Sequence, residues 1–126
     1  MAHLTRDDLI KACAAPLPCE PLEVPELGGA VVIRGMSGRE RDVFEQSFTA
    51  ARRRQVTVKN VRARLAAQCL IDADGQRLCT DADIETLGQL RADVLDRICA
   101  VAQRLSGFIV ADLAELAKAA ALGAVE

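Results

Sequence analysis

Residues 23–44 constrain this chain more than any other stretch. Gly28-Gly29 lies between two apolar runs, 22–27 and 30–36, the pattern of a two-stranded ribbon whose tight primed turn needs positive φ at its central positions. Pro25 has no N–H to give to a ladder, which sends the first strand to a sheet edge. Ser37 followed three residues later by Glu40 is a capping box, in which hydroxyl and carboxylate each satisfy a backbone N–H that a helix start leaves bare. The second strand is therefore expected to run through Gly35 straight into a helix over residues 38–53. Nothing in this unit is chemically reactive.

The remaining elements follow from capping and period. Thr5-Arg-Asp-Asp8 starts a short helix through Leu9, Ile10 and Cys13. Residues 14–21 hold Pro16, Pro18 and Pro21 without periodicity and read as a linker. On the helix over 38–53, Val43, Phe44, Phe48 and Ala51 share a face. Residues 55–58 are expected to form a connector or a short strand. A second long helix is predicted over 59–70, with Val58, Val61, Leu65 and Cys69 on one stripe. Asp74-Gly75 then signals a second hairpin or tight loop. Thr80 caps a helix carrying Ile84, Leu87 and Leu90, which Gly88 breaks or kinks. The most periodic helix covers 92–105 and stops at Ser106-Gly107. Beyond it Leu113, Leu116 and Ala120 are in phase for a weak terminal helix, or one ordered only against a partner. The expected fold class is mainly α: a small helical domain with an N-terminal β-hairpin and a short second hairpin. Residues 1–21 form a short helix and proline-rich linker, 22–107 the helical domain, and 108–126 an Ala-rich tail.

Composition limits how firmly such a domain holds together. The 126 residues suit a single domain, but 22 of the hydrophobic residues are Ala and there is no Trp or Tyr. Only Phe44, Phe48 and Phe108 can serve as bulky anchors, so modest stability is expected unless the chain self-associates.

Candidate chemistry is sparse. The five cysteines form no C-x-x-C pair, and an odd count leaves one over in any disulfide scheme. His3 is the single histidine and stands near the terminus, which argues against zinc and against a nucleophile–histidine pair. If Gly75 took the sixth position of a calcium loop, Leu70 would fall on the first, where an oxygen ligand is required. Neither Gly28-Gly29 nor Gly35-x-x-Gly38 matches a phosphate-binding fingerprint. These absences lead to the expectation of a non-enzyme without metal or cofactor. Acids replace the basic region of a signal peptide, and no apolar run is long enough for a membrane span, so a cytoplasmic protein with reduced thiols and no membrane partner is expected.

Charge is unevenly placed. Residues 52–64 carry six bases and no acid, whereas 72–96 carry seven acids against Arg77 and Arg91. Such a layout suits head-to-tail contact between copies or a charged partner, although two solvated faces are the commoner outcome. Arg52, Arg53 and Arg54 are the best candidates for nucleic-acid contact. They lack aromatic neighbours for stacking, and cations at a helix C-terminus are stabilising in their own right. With a net charge of −2, nucleic acid is not expected as a partner. The sequence instead nominates Phe44, Phe48, Val61 and Leu65 as an apolar partner-binding surface and Arg52, Arg53 and Arg54 as its polar contacts. A Phe pair at this spacing is nonetheless more often core than groove.

Taken in order, the segments of this chain resemble the tail assembly chaperones of long-tailed bacteriophages and related tail-like particles. The likeness covers about residues 5–107. It rests on the Thr-x-x-Asp start, the proline linker and Val24-Pro-Glu-Leu-Gly-Gly-Ala-Val-Val-Ile-Arg-Gly-Met-Ser-Gly-Arg-Glu-Arg-Asp-Val-Phe44. It continues through Asn60-Val-Arg-Ala-Arg-Leu65, Leu70-Ile-Asp-Ala-Asp-Gly-Gln-Arg-Leu78, Thr80-Asp-Ala-Asp-Ile84, Leu95-Asp-Arg97 and Ala102-Gln-Arg-Leu-Ser-Gly107. The resemblance implies a mainly helical protein that binds the tape-measure protein, helps recruit tail-tube subunits and is absent from the finished particle. A homo-oligomer fits such work, because many weak contacts then sum. The chain departs from the family after Gly107, where Phe108-Ile-Val-Ala-Asp-Leu is more apolar than the usual acidic stretch. Two other roles compete: a structural tail or connector component, and a small helical regulator contacting nucleic acid through residues 52–64.

Overall fold

The computed structural model describes residues 2–55 and 58–108. Helix α1 covers Arg6–Cys13, strand β1 Cys19–Val24, strand β2 Gly29–Arg34 and helix α2 Gly38–Arg53. Helix α3 (Val61–Cys69) runs directly into strand β3 (Leu70–Ile71), followed by helices α4 (Ile84–Leu87) and α5 (Ala92–Leu105). The tail segment 109–126 and positions 56 and 57 of the expected connector lie outside the described residues.

The expectation of a mainly α fold is overturned. The described residues are 54% helical with 14% in a three-stranded antiparallel sheet, a small mixed α/β domain. The difference lies in Leu70 and Ile71, which pair with Ile33 and Val32 and put β3 on the far side of β2 from β1. Two apolar residues at the end of a helix carry no local sign that a strand 37 positions earlier will receive them. The second hairpin closes beneath them: Ile71 bridges Arg77, and the Leu78 N–H donates to the Leu70 carbonyl at 2.9 Å. At its tip Asp72 accepts from the N–H groups of Asp74 and Gln76 through one carboxylate oxygen, forming an Asx-type turn.

The first hairpin also differs in detail. Val24 pairs with Gly29, so Gly29 belongs to β2, and the connection is a 3₁₀ turn over Pro25–Leu27 closed by Gly28 at φ +80°. Pro25 supplies a helical φ at the first position of that turn, and only Gly28 takes the left-handed conformation. Strand β1 begins at Cys19, which takes Cys19, Glu20 and Pro21 out of the expected linker. As expected, it lies at the sheet edge, although Pro25, on which that expectation rested, falls in the turn just beyond the strand.

One face of the sheet carries the core. Glu20, Leu22 and Val24 point inward along β1, opposite Ile33, Val31 and Gly29. Helix α5 crosses this face, and its Arg97 and Arg104, two turns apart, pair with Glu26 at the hairpin tip and with Glu20 at its base. Helix α3 packs behind α5 with Leu65, Ala66 and Cys69 completely buried, and Ala63 and Ala67 face Ile84 of α4 in a second small cluster. The alanines explain how α3 sits so deep: short side chains let neighbouring elements approach its backbone. The capping box of α2 forms as expected, Ser37 N–H to Glu40 at 3.0 Å and Glu40 N–H to Ser37 Oγ at 3.2 Å.

The C-terminal turn of α5 meets the corner between β2 and α2. The Met36 N–H donates to Ser106 Oγ at 3.0 Å, and a Cβ on Gly35 would lie 2.3 Å from the Leu105 carbonyl oxygen. Gly107 at φ +78° turns the chain, Phe108 packs edge-on against Phe44, and the Arg41 guanidinium covers the Phe108 ring at 4.1 Å. Phe44, Phe48 and Phe108 thus form one aromatic cluster, the main anchor of α2.

Gly35→Ala is expected to destabilise the fold by about 1–3 kcal/mol or more, because backbone must move to admit the methyl group. Gly38→Ala, which meets nothing within 4 Å, should be neutral or stabilising by up to ~1 kcal/mol. Urea titrations of the two variants check the contrast. The carboxyl of Glu26 is held below its ordinary range, chiefly by the Arg97 hydrogen bond. Its contribution is therefore present above the unfolded carboxyl's pKa and lost as pH falls through the lower folded value. Acidification should release the hairpin tip from α5, visible as amide shifts near Val24 and Gly29 that vanish in Arg97→Ala.

Candidate partner-binding groove

The described residues enclose an open groove of about 420 Å³ between α2 on one side and α3 with α4 on the other. Its α2 wall is Val43, Phe44 and Ser47, which project together because they are one, three and four positions apart on a helix. The opposite wall begins at Lys59 and Asn60. Arg64 and Gln68 continue it in steps of four from Asn60, and Asp81, Ile84 and Glu85 complete it from the 3₁₀ turn and α4. Asn60 takes a left-handed conformation, φ +57°, to start α3, and its Oδ1 would lie 2.7 Å from a Cβ on Gly88. Gly88, the C-cap of α4, thus leaves room for the Asn60 side chain of the groove wall.

The groove mixes an apolar strip with opposed charges. Phe44 and Ile84 are nearly covered at its base, while Val43 stands 62% exposed on its rim. Arg64 is steadied by its Nε donating to the Lys59 carbonyl at 2.8 Å, and Asp81 is tied to Arg77 at 3.1 Å. Lys59 and Arg64 thus offer positive charge, and Glu85 of α4 offers negative charge in the same lining. Such a lining accepts an apolar side chain flanked by charged ones.

The residues nominated from sequence divide into three groups. Phe48 and Leu65 are 2% and 0% exposed, so they belong to the core and offer no surface to a partner. Phe44 is also core but shows an edge to the groove, and Val61 is half-buried against the main cluster. Arg52, Arg53 and Arg54 are exposed around the C-terminal end of α2, beyond the groove. Sequence reasoning placed Val43 on the Phe44–Phe48 stripe, whereas it points outward into the groove. Lys59 and Arg64 stood out only as members of the basic block and Ile84 only as an apolar helix residue, and Gln68 was not singled out. The four-residue steps Asn60, Arg64, Gln68 were visible in the sequence, but only α2 lying alongside makes them a wall.

The basic and acidic blocks partly neutralise each other within the chain. Arg62 of the basic block pairs with Asp96 of the acidic one at 2.9 Å. No cluster of three metal-ligating side chains occurs among the described residues, and no helix there is long and apolar enough to cross a membrane. Among the thiols, Cys69 and Cys99 are buried, and desolvation pushes them up to about 11 and about 12. Cys99 donates to the Arg62 carbonyl at 3.3 Å. Neither thiol reaches the groove. In comparisons with known proteins, no family model, no curated protein and no solved structure matches the chain.

A disulfide-exchange reagent at pH 8 is expected to modify Cys13 and Cys19 rapidly, since both are exposed. Half-buried Cys79 should follow more slowly, and Cys69 and Cys99 only on unfolding. The same burial makes stability fall as pH rises. The unfolded thiols ionise near 9, while the folded ones stay neutral to about 11 and about 12, so alkali favours the unfolded chain across that window. Denaturation midpoints between pH 8 and 11 check the sign.

Proposed function

We propose that this chain is a non-enzymatic tail assembly chaperone of the long-tailed phage type. It holds a helical segment of the tape-measure protein in the α2–α3–α4 groove and helps recruit tail-tube subunits. It works in the host cytoplasm and leaves the finished particle. One observation carries this reading: segments that carry the family resemblance, far apart in sequence, converge on one groove. Val43 and Phe44 end the first block, Asn60 and Arg64 belong to the second, and Asp81 and Ile84 lie in the fourth. The groove's chemistry supports the same client, because an amphipathic helix offers an apolar stripe with charged flanks.

The nucleic-acid alternative loses ground on geometry. Arg62 is paired with Asp96, and Arg64 is pinned beside the groove. What the 52–64 block offers is a cluster at the end of α2 and not a continuous cationic stripe.

Co-expression with a tape-measure protein tests the proposal. The wild-type chain should raise the client's solubility and co-purify with it. Val43→Glu combined with Arg64→Glu places two acids on the groove and should weaken retention about tenfold or more, with circular dichroism unchanged. Retention of client by that variant would exclude the groove, and no co-purification by the wild type would exclude the chaperone role. Mass spectrometry of purified particles separates a chaperone, which should be missing there, from a structural component.

A further inference from the structure

The last described residue lies against the groove. Phe108 packs edge-on to Phe44 with 6.2 Å between ring centroids, and Phe44 is part of the groove's α2 wall. The Arg41 guanidinium lies over the Phe108 ring and also donates to the Gly107 carbonyl at 3.3 Å, which fixes where the chain leaves α5. Residues 109–126 continue from this point. On a helix, Leu113, Leu116 and Ala120 would fall within about 60° of arc, with Asp112 and Glu115 on one flank of that stripe and Lys118 opposite it. Every residue from Leu113 to Ala120 is a strong helix former. A stretch this short does not hold a helix in water alone and needs a surface to form one.

We propose that residues 109–126 dock as an amphipathic helix in the α2–α3–α4 groove of the same copy, and that a client helix displaces them. Length agrees. Residues 109–112 can span about 14 Å when extended, enough to lead from Phe108 past the edge of Phe44. The helix from Leu113 to Ala120 would rise about 11 Å, and the wall from Asn60 to Gln68 rises about 12 Å. Charge agrees as well. Lys59 and Arg64 adjoin, with Arg64 Nε on the Lys59 carbonyl, and neither has a carboxylate partner among the described residues. The acidic flank of the stripe supplies one. Leu113 and Leu116 then cover Val43, the exposed apolar residue on the α2 rim, and the edge of Ile84 at the base.

Attachment decides for the same copy. Phe108 already touches a residue of the groove. A segment tethered through a link of a few residues is present at its site at an effective concentration in the millimolar range. Contacts too weak to bring two copies together would therefore still keep the groove filled. The docked segment presents what the proposed client presents, an apolar stripe with charged flanks. Displacement rests on the chaperone reading, whereas docking rests on the groove, the exit at Phe108 and the charge match.

Methyl NMR of the full chain tests the inference. The wild type should show nuclear Overhauser contacts from the Leu113 and Leu116 methyls to those of Val43 and Ile84. These contacts should persist on dilution and be absent from isotope-filtered spectra of mixed labelled and unlabelled chains, as docking within one copy requires. Leu113→Asp with Leu116→Asp should remove them, shift the amides of Asn60, Arg64 and Gln68, and leave those of the sheet in place. A wild type without tail–groove contacts would overturn the inference. So would contacts seen only between copies, or groove amides unmoved by the tail variant. Client co-purification is a separate readout. The tail variant should bind client about tenfold more tightly, the gain from freeing a groove that is roughly nine-tenths filled; unchanged or weaker binding would overturn displacement. Client binding by neither chain would refute the chaperone role, while the methyl contacts still decide the docking.

Discussion

The close approach of the α5 C-terminus to the Gly35–Met36 corner orders the rest of the molecule. Seventy residues separate Met36 from Ser106, yet a buried hydrogen bond joins them, and the Leu105 carbonyl lies where any larger residue at position 35 would place its Cβ. This contact locks the hairpin to α5 and sets the direction in which α2 leaves the sheet. With three aromatic residues in the chain, α2 is held chiefly by Phe44 and Phe48 against Phe108. Edge-to-face aromatic pairs add only about 0.5–1.5 kcal/mol each beyond their burial. Helix α2 is thus correctly placed but lightly bound, and the groove beside it exists because no bulky side chain fills the space.

That economy of large side chains has a functional side. Ala63, Ala66 and Ala67 let α3 sink into the interior, while its outward row of Asn60, Arg64 and Gln68 lines the groove. A holding protein needs adaptable apolar surface bordered by charge, and it needs that surface covered when no client is present. Under the proposed chaperone role, the α2–α3–α4 groove supplies such a surface.

Much of the local structure was legible in the sequence. The bounds of α2 and α5, the N-cap at Thr5, the capping box at Ser37, the edge position of β1 and the turn at Asp74-Gly75 follow from interactions within a few residues. The errors share one cause. Pairing of Leu70 and Ile71 with β2 depends on a strand far away in the chain, so a helix-period stripe could not announce it. Val43 shared a face with Phe44 and Phe48 because the apolar face of α2 was drawn from spacing alone; which edge of that face is covered depends on where Phe108 arrives. Phe48 and Leu65 looked like a binding surface for the same reason.

By itself the sequence determined where helices and turns begin and end, because caps, prolines and glycines act through the backbone groups next to them. It also determined the scarcity of reactive groups and the separation of charge along the chain. Tertiary structure alone decided that the fold is mixed α/β, that Arg62 and Asp96 neutralise each other, and that Asn60, Arg64 and Gln68 face Val43 across a groove. The physical reason is distance: each of these outcomes depends on groups brought together by chain closure, whose energy is absent until the partner surface is in place.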